Sequence, residues 1–181
     1  LKFNNTFTKA PESFGTNFNF RIKNKNGGIL KYYGSFDTNR LGLQDESLEP
    51  ETDFDNTSLK GKNTFHNISY RQKLGRYLVN LGSSYTFNNN LIDLNNTYQE
   101  SEFNLNSIDI TGNYFNAKGT LERKINKISA IRGGIEFNQT RENTDVAISP
   151  VPYSFHDRIT SVFAETDLGF SNHFSAKVGL R

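Results

Sequence analysis

Ser154, His156 and Asp157 put a hydroxyl, an imidazole and a carboxylate within four positions, the side-chain types of a nucleophilic relay. A relay also needs a base oriented by a third group and an oxyanion hole on a rigid scaffold. Here the three residues fall in a polar stretch with no Gly-x-Ser-x-Gly elbow, so they read as loop residues. The second candidate is acidic. Asp45, Glu46, Glu49, Glu51, Asp53 and Asp55 run together without an intervening base. Clustered carboxylates can hold Ca²⁺, and Asp53-x-Asp55-x-Thr57 opens like a calcium loop. The pattern then breaks: Ser58 stands where the loop needs Gly, and Thr64 where it needs a bidentate Glu. The run therefore reads as a solvated external acidic loop, with Asp53 and Asp55 the candidate ligands if a cation is bound. Asn88–Asn90 and Asn95–Asn96 could hydrogen-bond sugars but serve equally as turn residues. Arg132-Gly133-Gly134 is too short for an RNA-binding motif, and small residues on a strand make room for neighbours. Phosphate-loop and dinucleotide signatures are absent from the sequence.

Composition narrows the field further. The 181 residues carry 21 Lys+Arg against 19 Asp+Glu, a formal charge of +2, too balanced for a dedicated nucleic-acid binder. Cys is absent, which excludes disulfides, thiolate metal sites and a cysteine nucleophile, and three His leave little for a histidine metal cage. No catalytic residue, cofactor or metal site is expected, and the chain reads as a non-enzyme. No apolar run reaches the ~20 residues of a spanning helix, and no signal peptide is visible. Met is missing even at position 1, so the chain reads as processed or as an internal fragment. Abundant Asn, 16 Phe, 8 Tyr and scarce Ala favour strands and turns over helices.

The elements that must position any site are strands. Apolar residues recur at every second position, which predicts nine segments: Leu1–Lys9, Thr16–Lys23, Ile29–Asp37, Asn63–Lys73, Arg76–Phe87, Ile108–Lys124, Ile128–Gln139, Arg158–Phe170 and Phe174–Arg181. Arg76–Phe87 is the clearest, with Tyr77, Val79, Leu81, Tyr85 and Phe87 in phase. Within Ile108–Lys124 the phase changes: Ile108, Ile110 and Tyr114 oppose Phe115, Ala117 and Leu121. That predicts either a bulge near Asn113 or a loop before it. Short connections (Asn24–Gly28, Lys73–Gly75, Ile125–Lys127, Ser171–His173) alternate with long polar ones (Thr38–Lys62, Asn88–Ser107, Thr140–Asp157), and Pro11–Gly15 reads as a further turn. An antiparallel meander then has its tight turns at one end and its long loops at the other, as in an outer-membrane barrel. Most segments match the ~9–11 residues that cross a bilayer at a tilt. Aromatics flank the ends: Phe170 and Phe174 around a short turn, Tyr85 and Phe87 before a long loop. The expected fold class is all-β, an antiparallel up-and-down meander of about nine long strands forming part of a transmembrane β-barrel.

The hairpin Arg158–Arg181 adds a family likeness. A strand with Phe163-Ala164-Glu165, a short polar turn and a strand ending Val178-Gly179-Leu180-Arg181 resembles the hairpins of Bacteroidota-type TonB-dependent receptors. The match covers about 24 residues, and the Asn- and Lys-rich, Cys-free composition agrees with it. The resemblance implies a large bacterial outer-membrane barrel and import of a nutrient, a siderophore, glycan or similar small molecule or oligosaccharide. It implies as partners the outer-membrane lipid, a plug domain of the same full-length chain, and TonB through an N-terminal region. A plug, a TonB-contact segment and a closing strand are not evident in residues 1–181, so the chain reads as one partial barrel domain, an internal wall segment. The alternative reading is a non-energised outer-membrane barrel or a surface binding or adhesin protein. In the expected register Phe170 faces Phe174, Leu168 faces Ala176, Thr166 faces Val178 and Ala164 faces Leu180. Glu165, Asp167, Lys177 and Arg181 are then the lumen-facing charges, with Asp167 opposite Lys177 and Glu165 diagonal to Lys177 and Arg181.

Overall fold

The computed structural model describes residues 6–46, 54–98, 101–126, 128–147, 152–170 and 174–181. They form one antiparallel sheet of eight strands in sequence order: β1 Thr6–Lys23, β2 Ile29–Glu46, β3 Phe54–Leu74, β4 Tyr77–Tyr98, β5 Ser101–Lys124, β6 Ala130–Val146, β7 Tyr153–Gly169 and β8 Ser175–Leu180. Every strand hydrogen-bonds only its sequence neighbours, which is an up-and-down meander. The sheet is not closed: the outer edges of β1 and β8 have no partner strand among the described residues.

Alternation explains the strands, and a few residues explain their ends. The β1–β2 turn closes through Asn24 N–H to Gly28 O (2.8 Å) and Gly28 N–H to Asn24 Oδ1 (2.6 Å), with Gly27 at φ 79°. Leu74 pairs directly with Tyr77, leaving a two-residue turn whose first residue, Gly75, has φ 59°. Two-residue hairpins need that left-handed conformation, and Gly adopts it without a Cβ clash. Asn126 Oδ1 accepts the N–H groups of Ile128 (2.9 Å) and Ser129 (2.6 Å) at the β5–β6 turn. Phe170 N–H donates to Phe174 O (3.0 Å) to close β7–β8; the turn residues 171–173 lie outside the described residues.

The fold class agrees with expectation, and several boundaries do not. Residues 6–9 of the first expected segment and Thr16–Lys23 belong to one strand, so the described residues form eight strands with no Pro11–Gly15 turn; residues 1–5 of that segment lie outside the described residues. The register of β1 against β2 shifts between Phe7, Lys9 and Glu12, so Pro11 sits at an irregularity on an edge strand. That is where a residue without an N–H is tolerated. The long polar connections are also mostly strand. β2–β3 stay paired out to Glu46 and Phe54, β4–β5 to Tyr98 and Ser101, and β6–β7 to Thr144 and Tyr153. Backbone pairing does not require apolar side chains, and polar cross-strand pairs support it: Asn63 to Asp37 (3.0 Å), Asn89 to Asp109 (2.7 Å), Ser107 to Asp93 (2.9 Å).

Candidate functional site

A packed interior is missing from this sheet. Phe163 is the one buried apolar side chain among the described residues. Leu81 and Val178 are 52% and 58% exposed, Ala164 is exposed, and Val79 is half-buried between its neighbours. Registers across all seven pairings assign every strand residue to one of two faces, because cross-strand partners share a face. One face collects the apolar residues: Phe14, Phe18, Phe20 and Ile22 on β1; Leu30, Tyr32 and Phe36 on β2; Ile68, Tyr70 and Leu74 on β3; Tyr77, Val79, Leu81, Tyr85 and Phe87 on β4. It continues with Phe115 and Leu121 on β5, Ile131, Ile135 and Phe137 on β6, Val162, Ala164 and Leu168 on β7, and Ala176, Val178 and Leu180 on β8.

These residues form a slanted band. Ile22, Leu30, Tyr70, Leu81, Gly119, Ile135 and Val162 make one cross-strand row. On β1 the band runs from this row eight residues toward the long hairpins, to Phe14. On β7 it runs eight residues the other way, to Phe170 beside the β7–β8 turn. The band thus slides eight residues in six strand steps, about 1.3 residues per step. With ~3.4 Å per residue and ~4.8 Å between strands, a level band requires strands tilted by about 43°. On β4 the ten steps from Tyr77 to Phe87 then span about 25 Å along the band normal. Transmembrane barrels have strands tilted ~35–45° and an apolar belt ~25 Å tall. Aromatic rings sit at its limits, including Phe170 and Phe174 with centroids 5.5 Å apart, and Phe115 and Phe137 at 6.1 Å.

Beyond the band the two faces exchange character. On the hairpin extensions the band face turns polar, with Arg40, Lys60, Asp93, Asp109 and Arg141. The opposite face acquires an apolar row across five strands, Leu41–Leu59–Ile92–Ile108–Val146. This exchange explains the change of phase in β5. Its register against β4 and β6 is unbroken through Asn113, so no bulge lies there; the shift falls at Leu94/Asn95. Ile108 and Ile110 oppose Phe115 because they lie past the band.

At band depth the opposite face carries charge. Arg132 donates to Glu122 through Nη2 (2.6 Å) and Nε (3.1 Å) and reaches Glu165 (3.4 Å); Lys177 reaches Glu165 (2.9 Å). Signs therefore alternate from β5 to β8. A second set joins Lys118 (3.2 Å) and Arg181 (3.3 Å) to Glu136. The expected β7–β8 register is present residue for residue: Ala164–Leu180, Thr166–Val178, Asp167–Lys177 and Leu168–Ala176. The side-chain pairing differs in detail. Lys177 faces Asp167 in the ladder, yet its ammonium goes to the diagonal Glu165, and Arg181 reaches past Glu165 to β6. Long flexible side chains span the diagonal as readily as the direct pair. Sequence reading missed Glu122, Arg132 and Glu136 as partners; each stands on the polar phase of a predicted strand, but only the register aligns them. Gly134 makes room on this face for Phe163, whose ring a Cβ there would meet at 2.6 Å.

The remaining candidates separate. Ser154 and His156 lie on the band face of β7 and Asp157 on the other, so the three do not converge. Asp45 and Asp55 face each other across β2–β3, and Glu46 ends β2. Glu49, Glu51 and Asp53 lie outside the described residues. Among the described residues no three His, Cys, Asp or Glu side chains group as a metal site.

Comparison with known proteins gives a likeness of fold. No family model matches the sequence. No curated protein matches it either. Among solved structures, the ferric yersiniabactin uptake receptor FyuA of Yersinia pestis superposes with a TM-score of 0.65 at 8% identity, over 88% of this chain and 26% of the receptor. The chain therefore shares its fold with about a quarter of a β-barrel receptor.

Proposed function

We propose that this chain is a wall segment of a bacterial outer-membrane TonB-dependent receptor that imports a nutrient. The slanted apolar band carries the reading: a single-layer sheet with one continuous, exposed apolar belt has no way to hide it in water, and its slope and height match a tilted barrel wall in lipid. The fold likeness to an uptake receptor supports it, as does the resemblance of Phe163-Ala164-Glu165 and Val178-Gly179-Leu180-Arg181 to receptor hairpins. In this reading the charged face looks into the lumen toward a plug domain, further strands of the receptor pair with the edges of β1 and β8, and TonB supplies the energy. The role is transport, without catalysis. The apolar row from Leu41 to Val146 would line the mouth above the membrane, where a ligand enters.

The test is topology in intact cells. An epitope inserted between β2 and β3, in 47–53, is expected to bind antibody on whole cells, and one at Asn172 only after the outer membrane is opened. Labelling of Asn172 in intact cells, or recovery of the full-length protein in the soluble fraction, would overturn the reading.

A further inference from the structure

Just past the upper limit of the band, the band face of β6 and β7 carries three basic side chains without a counter-charge. Arg141 and His156 are cross-strand partners, and Arg158 follows two residues from His156 on the same face. All three are exposed, and none makes an ion pair or side-chain hydrogen bond among the described residues. The same-face positions around them hold Asn113, Gln139, Asn143, Ser154 and Thr160, which are donors and acceptors but not acids. Among the other cations of this face on the hairpin extensions, Arg40 pairs with Glu12 (2.6 Å) and Lys60 with Asp93 (3.3 Å), whereas Lys62 stands on β3 opposite Asn89, away from this cluster. Arg141 and Arg158 are diagonal neighbours of like charge on one face, so this uncompensated pair favours an anion from outside.

Depth says which anion. Arg141 lies four residues beyond Phe137 and Arg158 four beyond Val162, so at the tilt derived above both stand about 10 Å past the apolar limit. That is the headgroup layer, where phosphates of an anionic leaflet sit and where basic residues are drawn to them. The acids of this face stand farther out: Asp109 and Asp145 are cross-strand partners, and Asp145 lies four residues beyond Arg141. From lipid outward the order on β6 is aromatic, cationic, acidic. A guanidinium offers a planar fork of donors suited to phosphate oxygens. We propose that Arg141, His156 and Arg158 form a binding site for the phosphate headgroup of an anionic lipid in the leaflet that meets the long-hairpin end. This site rests on the membrane reading, because without a bilayer the cluster has no defined depth.

The experiment uses the full-length parent protein, delipidated in detergent, with phosphatidic acid, a lipid whose headgroup is phosphate alone, added back and bound lipid counted by native mass spectrometry. Wild type is expected to retain lipid. The Arg141→Gln/Arg158→Gln variant is expected to lose affinity by about 30-fold, the attraction of two arginines to an anionic leaflet. Lys177→Gln, on the opposite face, is expected to bind as wild type. Dephosphorylated lipid is expected to bind no better than to the double variant, and millimolar inorganic phosphate is expected not to displace the lipid. Equal retention by wild type and the double variant, equal loss in Lys177→Gln, or displacement by inorganic phosphate would overturn the site. Flotation with phosphatidylcholine vesicles separates the two readings: a protein that floats but does not discriminate lipids refutes the site alone, and one that does not float refutes the membrane reading.

Discussion

Leu81 gives the sharpest test of the band. It stands in the middle of the β4 run, four residues from Tyr77 and six from Phe87, which places it about 10 Å from one limit and 15 Å from the other at a tilt of about 43°. Its side chain is 52% exposed and projects from the apolar face. In a bilayer, Leu81→Arg puts a guanidinium near the midplane, at a cost of ~2–4 kcal/mol. At 1.4 kcal/mol per factor of ten, folding equilibrium in lipid falls by about 30- to 1,000-fold. Two controls share the strand. Asn80→Arg places the same group at the same depth on the opposite face, beside Thr120, to whose Oγ1 Asn80 donates (3.1 Å). Leu91→Arg keeps the face but moves four residues past Phe87, about 10 Å outside the band, where the cost falls to ~0–1 kcal/mol. The measurement is reversible guanidinium unfolding of the full-length protein in vesicles, followed by tryptophan-independent circular dichroism. The expected order of destabilisation is Leu81→Arg well above Leu91→Arg and Asn80→Arg. Equal losses at Leu81 and Leu91 would show that depth does not matter. Equal losses at Leu81 and Asn80 would show that the faces are not distinguished, and either result would refute the band.

Two further outcomes follow from charge placement. Glu12 lies beyond Phe14, outside the band, and its hydrogen bond and charge attraction to Arg40 hold its carboxyl below the ordinary glutamate value. A depressed folded-state pKa stabilises above the unfolded value, and that contribution disappears as pH falls through the folded one. Carboxyl titration by NMR is therefore expected to place Glu12 low in wild type and to return it upward in Arg40→Gln. On the charged face, double-mutant cycles are expected to find coupling between Lys177 and Glu165 and less between Lys177 and Asp167, although Asp167 is the direct ladder partner; the reverse ranking would mean that backbone register, and not side-chain reach, sets the pairing.

Alternation by itself determined the class of this protein, since period-two patterning with little Ala and much Asn, Phe and Tyr leaves few choices besides strands and turns. It also determined which residues share the apolar face, from Phe18 to Val178, and the β7–β8 register, because a one-residue slip would have thrown Leu168 and Val178 onto the charged side. Polar strands were not legible. Thr38–Lys62 and its counterparts carry no apolar alternation on the expected face, and the pairing there comes from backbone hydrogen bonds and Asn, Asp and Thr contacts that exist only once the partner strand is in place. Pro11 pointed to a turn because a proline interrupts most ladders; at an irregular edge position it interrupts nothing. The tertiary structure alone decided the rest. The slant of the band, the alternating Glu122–Arg132–Glu165–Lys177 charges and the unpaired Arg141–His156–Arg158 cluster each combine residues from separate strands. Cross-strand register fixes such neighbours, and local sequence fixes only which side of its own strand each residue takes.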